Sequence, residues 1–488
     1  MRLSKSLIGP AAALLALPVI CATGSSAQPA DYVLTVTSDF SVSGQVSTVG
    51  VIPPWNADLN VAPVHSDADA RSYGGLVYIV NHLYGDNIQV LDPQQGFATI
   101  RQFSVGPGTN PVDIAFVSAE QAYVSRNDSA LLLEVDTTTG AVTDSIDLSP
   151  YADGDGLPEM AGLAVRGGHL FVALQRLDRD YYWTPVPPSY LVVVDTATNE
   201  IVDPDPEVPG LPAITLAATN PYRELHLDGD TLYLAESGAW GAMDGGIEAI
   251  DTGSMTPQGL IATEAQLGGD LYDFTLPQDG RAYAVVTSSA GGWEQFAISF
   301  DWSTGEKIAD VWRPGGYDVM DIETHPGTGQ LFLADRTYTD PGVRVFDTAG
   351  DVQLTTSPLT VGLPPYDLVV IGDDVTGVSS DPAVRPPGLV ATPNPSRSGD
   401  VVEIVVLDGP MASDTSSRSL AGRSEGGVTV SVYDPSGRLV RTLGPSVEGL
   451  ALRWDGRNGA GEKVASGVYF VRADLAGGAV ASTKVVIR

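Results

Sequence analysis

The sequence predicts an all-β chain, a seven-bladed β-propeller followed by a small C-terminal β-sandwich. Three observations carry this. One short apolar strand recurs seven times at spacings of roughly 45–60 residues, each copy followed by a second strand and accompanied by a third. The second strand ends in Asp in six of the seven units. After residue 371 a Pro-rich connector leads into alternating strands and Gly-containing hairpins, the pattern of a small sandwich.

The first strand reads YVLTVTSD (32–39), VYIVN (77–81), AYVSR (122–126), LFVAL (170–174), LYLAE (232–236), AYAVV (282–286) and LFLAD (331–335), with Tyr or Phe second in six copies. The second ends at Asp92, Asp136, Asp195, Asp251, Asp301 and Asp347, each before a turn such as DTTTG (136–140). Asp there can accept from the turn backbone two residues on, so these six are expected to be turn formers rather than catalytic groups. The third includes PVDIAF (111–116), YRELHL (222–227), MDIET (320–324) and YDLVVI (366–371), with DARSYGG (69–75) as the weakest copy. With an outer strand between units, each repeat makes a blade of four antiparallel strands. The chain enters at the second strand of a blade, and its last innermost strand is 366–371, so the two ends are expected to pair and close the ring.

The flanking segments are read by composition. Arg2 and Lys5, the apolar run 7–20 and Ser25-Ser26-Ala27 make a signal peptide over 1–27. Ile20 before Cys21 is a poor match to a lipoprotein cleavage site, and removal of 1–27 leaves no thiol for disulfides, thiolate metal sites or haem attachment. No later stretch reaches the roughly 18 apolar residues needed to span a bilayer as a helix. The propeller is expected over 31–371, a Pro-rich linker over 372–390 and the sandwich over 391–488. Residues 28–390 hold 13 Lys and Arg against 50 Asp and Glu, while 391–488 is nearly neutral. Such a field disfavours nucleic acid and anionic lipid and favours cationic partners, or simply keeps an extracellular surface solvated.

Loop length selects a face. Turns after the innermost strand are short, whereas those after the next strand are long and aromatic, including the excursion 175–189, SGAWGAMDGG (237–246) and the loop of Trp293. Candidate ligand-binding residues on that face are Asn81, Arg126, Trp183, Glu236, Trp240, Trp293 and Asp335. Carboxylates recur on the innermost strands at Asp113, Glu224, Asp273, Asp321 and Asp367, where they would either hold a cation at the channel mouth or repeat a hydrogen bond to the neighbouring blade. Asp153, Asp155 and Glu159 offer the alternating oxygens of a Ca²⁺ loop, against the alternative of an ordinary acidic turn. The five histidines lie in separate blades, and no HExxH, GxSxG or Walker-type loop is present.

The repeat resembles the YVTN-repeat, YncE-like propellers, whose units read much like VVVDTATNEIV at 192–202. In the C-terminal module, Tyr433 to Arg441, Trp454-Asp455-Gly456-Arg457-Asn458 and Ser466-Gly467-Val468-Tyr469-Phe470 resemble the FlgD Ig-like module and the type IX secretion sorting domain. The resemblance implies an Ig-like fold and a partner in a type IX-like export machine, with a plain adhesive Ig domain as the alternative. Together these readings predict a secreted or cell-surface bacterial binding protein, non-enzymatic, holding a glycan, peptide or surface protein on the long-loop face. The rival is an extracellular propeller enzyme of lactonase, lyase or esterase type with a channel-mouth metal.

Overall fold

The computed structural model describes residues 31–290, 292–372, 388–392, 401–407, 429–434, 438–443, 451–474 and 480–487. The expected signal peptide, most of the expected linker and the stretch 411–427 lie outside the described residues.

Between Tyr32 and Ile371 the described strands form seven antiparallel blade sheets and one two-stranded ladder, Leu177–Asp178 with Thr184–Pro185. Their innermost strands are Pro365–Ile371 in blade 1, Ala68–Tyr73 in blade 2, Pro111–Phe116 in blade 3 and Met160–Arg166 in blade 4. Pro221–Asp228, Asp270–Phe274 and Val319–His325 follow in blades 5 to 7. Blade 1 closes the ring as the repeat phase predicts: Tyr32–Ser38 pairs with Gly44–Gly50 on one side and with Pro365–Ile371 on the other, Tyr32 opposite Ile371. Pairing the two ends removes the free sheet edges that an open ring would expose.

The alternating pattern places each strand. The strand His169–Leu174 is buried on both faces from Leu170 onward because it packs between neighbouring blades, whereas the outer strand Ala141–Asp147 is exposed except at Ile146. The recurring aromatic bridges blades. Tyr123 in blade 3 donates to Asn199 Oδ1 of blade 4 at 2.5 Å, and Tyr283 in blade 6 donates to Asp351 Oδ1 of blade 7 at 2.8 Å. The six Asp residues that end the second strands all accept a turn N–H; Asp136 Oδ1, for example, takes that of Thr138 at 2.8 Å.

The C-terminal module is a β-sandwich. One sheet carries Gly388–Thr392, Val402–Leu407 and Ala451–Trp454; the other carries Leu439–Leu443, Thr429–Tyr433, Gly467–Asp474 and Val480–Ile487. Its core centres on fully buried Trp454, whose Nε1 donates to the Arg457 carbonyl at 2.9 Å. A near-neutral module on a Pro-rich linker reads as independent of the propeller, yet Phe470 meets Trp55 of blade 1 edge-on at 6.2 Å, within one apolar cluster shared by blades 1 and 7.

Candidate functional site

The innermost strands surround an axial channel, and β-bulges shape its wall. In six of the seven blades the register between innermost and second strand shifts beside the carboxylate position; the regular exception is blade 2. A bulge re-aims the side chain that would otherwise follow strand alternation. Asp113 thereby accepts the Leu163 N–H of blade 4 at 2.8 Å, Asp321 that of Leu368 in blade 1 at 2.5 Å, and Asp367 that of Ala70 in blade 2 at 2.9 Å. Gly162 stands at this level in blade 4, where a Cβ would lie 2.6 Å from the Arg223 carbonyl oxygen.

Two arginines cross the channel between blades that are not neighbours. Arg71 of blade 2 reaches Asp113 at 2.8 Å and Glu224 of blade 5 at 3.3 Å. Arg223, at φ 65°, extends from blade 5 to Asp321 of blade 7 at 3.4 Å, to Asp273 at 3.8 Å and to the Met320 carbonyl at 3.2 Å. Burial opposes charge on both guanidiniums, but the surrounding carboxylates more than offset it and hold both well above the ordinary arginine value. Burial pushes the carboxyls of Asp321, Asp367 and Glu323 upward, and mutual repulsion adds to it. Glu224 is the exception: burial pushes it up, but Arg71, His226 and Arg223 together outweigh that and hold it below its usual value.

These groups form a waist with only about 20 Å³ of free space, lined by Asp69, Arg71, Asp113, Arg223, Glu224 and Asp367. On one side lies a 480 Å³ cavity walled by six of the innermost strands and by Thr275 to Gln278, which follow the innermost strand of blade 6, and holding Glu224, Glu323 and His226. On the other, the long-loop face, lies a 350 Å³ cavity lined by Trp183, Trp240, Tyr222 and Tyr366, with Asp67, Asp69, His82 and Arg223 toward its charged end. Its wall is braced by an amide chain through blades 3, 4 and 5: Asn127 donates to Gln175 at 3.2 Å, Gln175 to Asn220 at 2.7 Å, and Asn220 to the Gly238 carbonyl at 3.2 Å.

Of the seven ligand-binding candidates, Trp183 and Trp240 line this cavity. Trp293 is exposed outside it, near Gly241. The other four point away from the axis, into their own blades. Asn81 donates to Asn87, Arg126 to the Leu131 carbonyl, and Asp335 accepts from Arg344 at 2.5 Å. Glu236 is fully buried beside Glu248, which together with burial pushes its carboxyl up to about 10. Side chains alternate along a strand, so the cavity is reached by the next residue, as His82 and Asn127 do.

The Ca²⁺ loop does not form. Glu159 is fully buried and accepts from Leu177 N at 3.0 Å and from Arg179 Nε at 2.9 Å, with Asp155 3.6 Å from the same nitrogen. The Arg179 guanidinium thus sits against Asp155 and Glu159, in the place a cation would take between them. Among the described residues no three His, Cys, Asp or Glu side chains are placed to hold a metal, because the channel carboxylates face arginines and backbone N–H groups. Arg71 and Arg223 are absent from the sequence-based candidates; their signal is scarcity, two of the propeller's few bases lying on innermost strands.

The FlgD Ig-like domain family matches residues 414–478. No curated protein matches the chain. A candidate 6-phosphogluconolactonase from Bacteroides fragilis NCTC 9343 is 14% identical with a TM-score of 0.50, over 71% of this chain and 99% of that one. PorZ, a surface component of the type IX secretion system of Porphyromonas gingivalis, is 15% identical with a TM-score of 0.43, over 91% of this chain and 63% of that one. AztD from Citrobacter koseri is 12% identical with a TM-score of 0.41, over 70% of this chain and 98% of that one. The chain is therefore similar in fold to β-propeller proteins and carries a C-terminal FlgD Ig-like domain.

Proposed function

We propose that the chain is a secreted, non-enzymatic binding protein whose ligand occupies the 350 Å³ cavity of the long-loop face. The observation that carries this is convergence: Trp183 and Trp240, from the long loops of two blades, meet Tyr222 and Tyr366 over a braced polar wall. Trp183 is 50% and Trp240 39% exposed, so their rings are open to a ligand, and a few hundred Å³ suits a sugar ring or a few residues of peptide. On glycan and peptide arrays a Trp183→Ala, Trp240→Ala double variant is expected to lose about tenfold or more in binding, with an unchanged melting temperature. Equal binding by the variant would remove this cavity from consideration.

Export through the C-terminal module is the second part of the reading, supported by the FlgD Ig-like match and by the module's near neutrality beside an acidic propeller. A folded reporter fused to 391–488 is expected to reach the surface of a host with type IX export, and to stay periplasmic without the fusion. The fusion is a cleaner test than deletion, since removing the module uncovers Trp55. A fusion that stays periplasmic makes the module an ordinary Ig-like domain.

A further inference from the structure

Most polar groups around the long-loop cavity are already engaged. The amides of Asn127, Gln175 and Asn220 bond one another, and Arg223 is turned to Asp321, Asp273 and the Met320 carbonyl. Arg71, below, belongs to Asp113 and Glu224. Asp69 differs. It is 8% exposed, lines both the cavity and the waist, and its Oδ1 accepts no hydrogen bond. Its Oδ2 stands 3.5 Å from His82 Nε2, which also makes no hydrogen bond, while His82 Nδ1 lies nearer Asp67 Oδ1 at 3.2 Å. A carboxylate this far withdrawn from water without a donor is costly, and a ligand donor reaching Oδ2, the oxygen that is not sealed, would relieve it.

The walls specify what kind of donor. Trp183, Trp240, Tyr222 and Tyr366 present aromatic rings, whose faces attract cations. The Trp183 ring already carries one, with the Arg179 guanidinium carbon 4.8 Å from its centroid. The propeller's large acidic excess draws cations toward this mouth from a distance.

We propose that the long-loop cavity takes an alkylammonium group, the charged head of a free amine or of a lysine side chain, with Asp69 as its acceptor and the Trp183 and Trp240 rings as its walls. The inference rests on the cavity being the binding site and names the class of ligand held there. No bond is made or broken.

The test is calorimetric titration of the full mature chain with n-butylammonium and with N-acetyl-lysine amide, each against a neutral counterpart, 1-butanol and N-acetyl-norleucine amide. At least one ammonium probe is expected to bind saturably and its neutral counterpart not. Asp69→Asn is expected to weaken that binding about tenfold or more. Should Asp69→Asn fail to fold, Trp240→Phe against Trp240→Leu serves instead, the ring-retaining variant binding and the aliphatic one not. Binding of n-butylammonium alone assigns a free amine; binding of both admits a lysine of a partner protein. If neither ammonium probe binds while the arrays show tryptophan-dependent binding, this inference falls and the cavity stands. If the arrays show none either, both fall. Equal affinity for charged and neutral probes also overturns it.

Discussion

Replacing Glu236 by glutamine is expected to stabilise the propeller at neutral and alkaline pH and to leave it nearly unchanged at about pH 4. Glu236 and Glu248 are both fully buried; Glu236 Oε2 accepts from Ala218 N and Glu248 Oε2 from Ala217 N at 2.9 Å, while neither Oε1 has another partner. Burial first, then the neighbouring Glu248, pushes Glu236 up to about 10. The sign follows from linkage: an acid whose folded value lies above its unfolded one favours the folded state less as pH rises from the unfolded value toward the folded one. The window therefore runs from about 4.5 to about 10. At pH 7 the cost is on the order of 3 kcal/mol. Glutamine mimics the protonated acid, donating to Glu248 and accepting from Ala218. Thermal melts at about pH 4 and about pH 8 check it: the variant's advantage should be near zero at the first and several degrees at the second. An equal advantage at both would show that the pair does not share a proton.

Arg71→Met should have the opposite effect, destabilising the ring by about 3 kcal/mol, because it leaves buried Asp113 and part-exposed Glu224 facing each other across a narrow waist. The lost quantity is compensation of buried carboxylates rather than packing, so Glu224→Gln in the Arg71→Met background should recover part of it. Denaturant titration of the two single variants and the double measures the coupling. Strict additivity would mean that the arginine and the glutamate act independently, contrary to their 3.3 Å approach.

The architecture was legible because a repeat writes it seven times. The Asp-ended strands, the aromatic second position and the phase of the first and last units all depend on residues close in sequence or on a period. The site was legible only in part. Trp183 and Trp240 line the long-loop cavity as loop length leads one to expect. Asn81, Arg126, Glu236 and Asp335 do not line it, since a strand inverts its side chains at every step and the motif's last residue faces the blade. Asp153, Asp155 and Glu159 have the spacing of a cation loop, but spacing cannot reveal that Arg179 folds back onto Glu159. The arginine waist joins positions 71, 113 and 224, and 223 to 321, and no local pattern encodes such pairs.

The waist also determines how a bound molecule can leave. With only about 20 Å³ at the waist, the two cavities meet at a constriction with room for about one water. A larger ligand that enters past the long loops is expected to exit past them. Residence time is thus governed at a single doorway framed by the Trp183 and Trp240 loops, and a partner docked across that face would imprison the ligand, however open the opposite end of the channel stands.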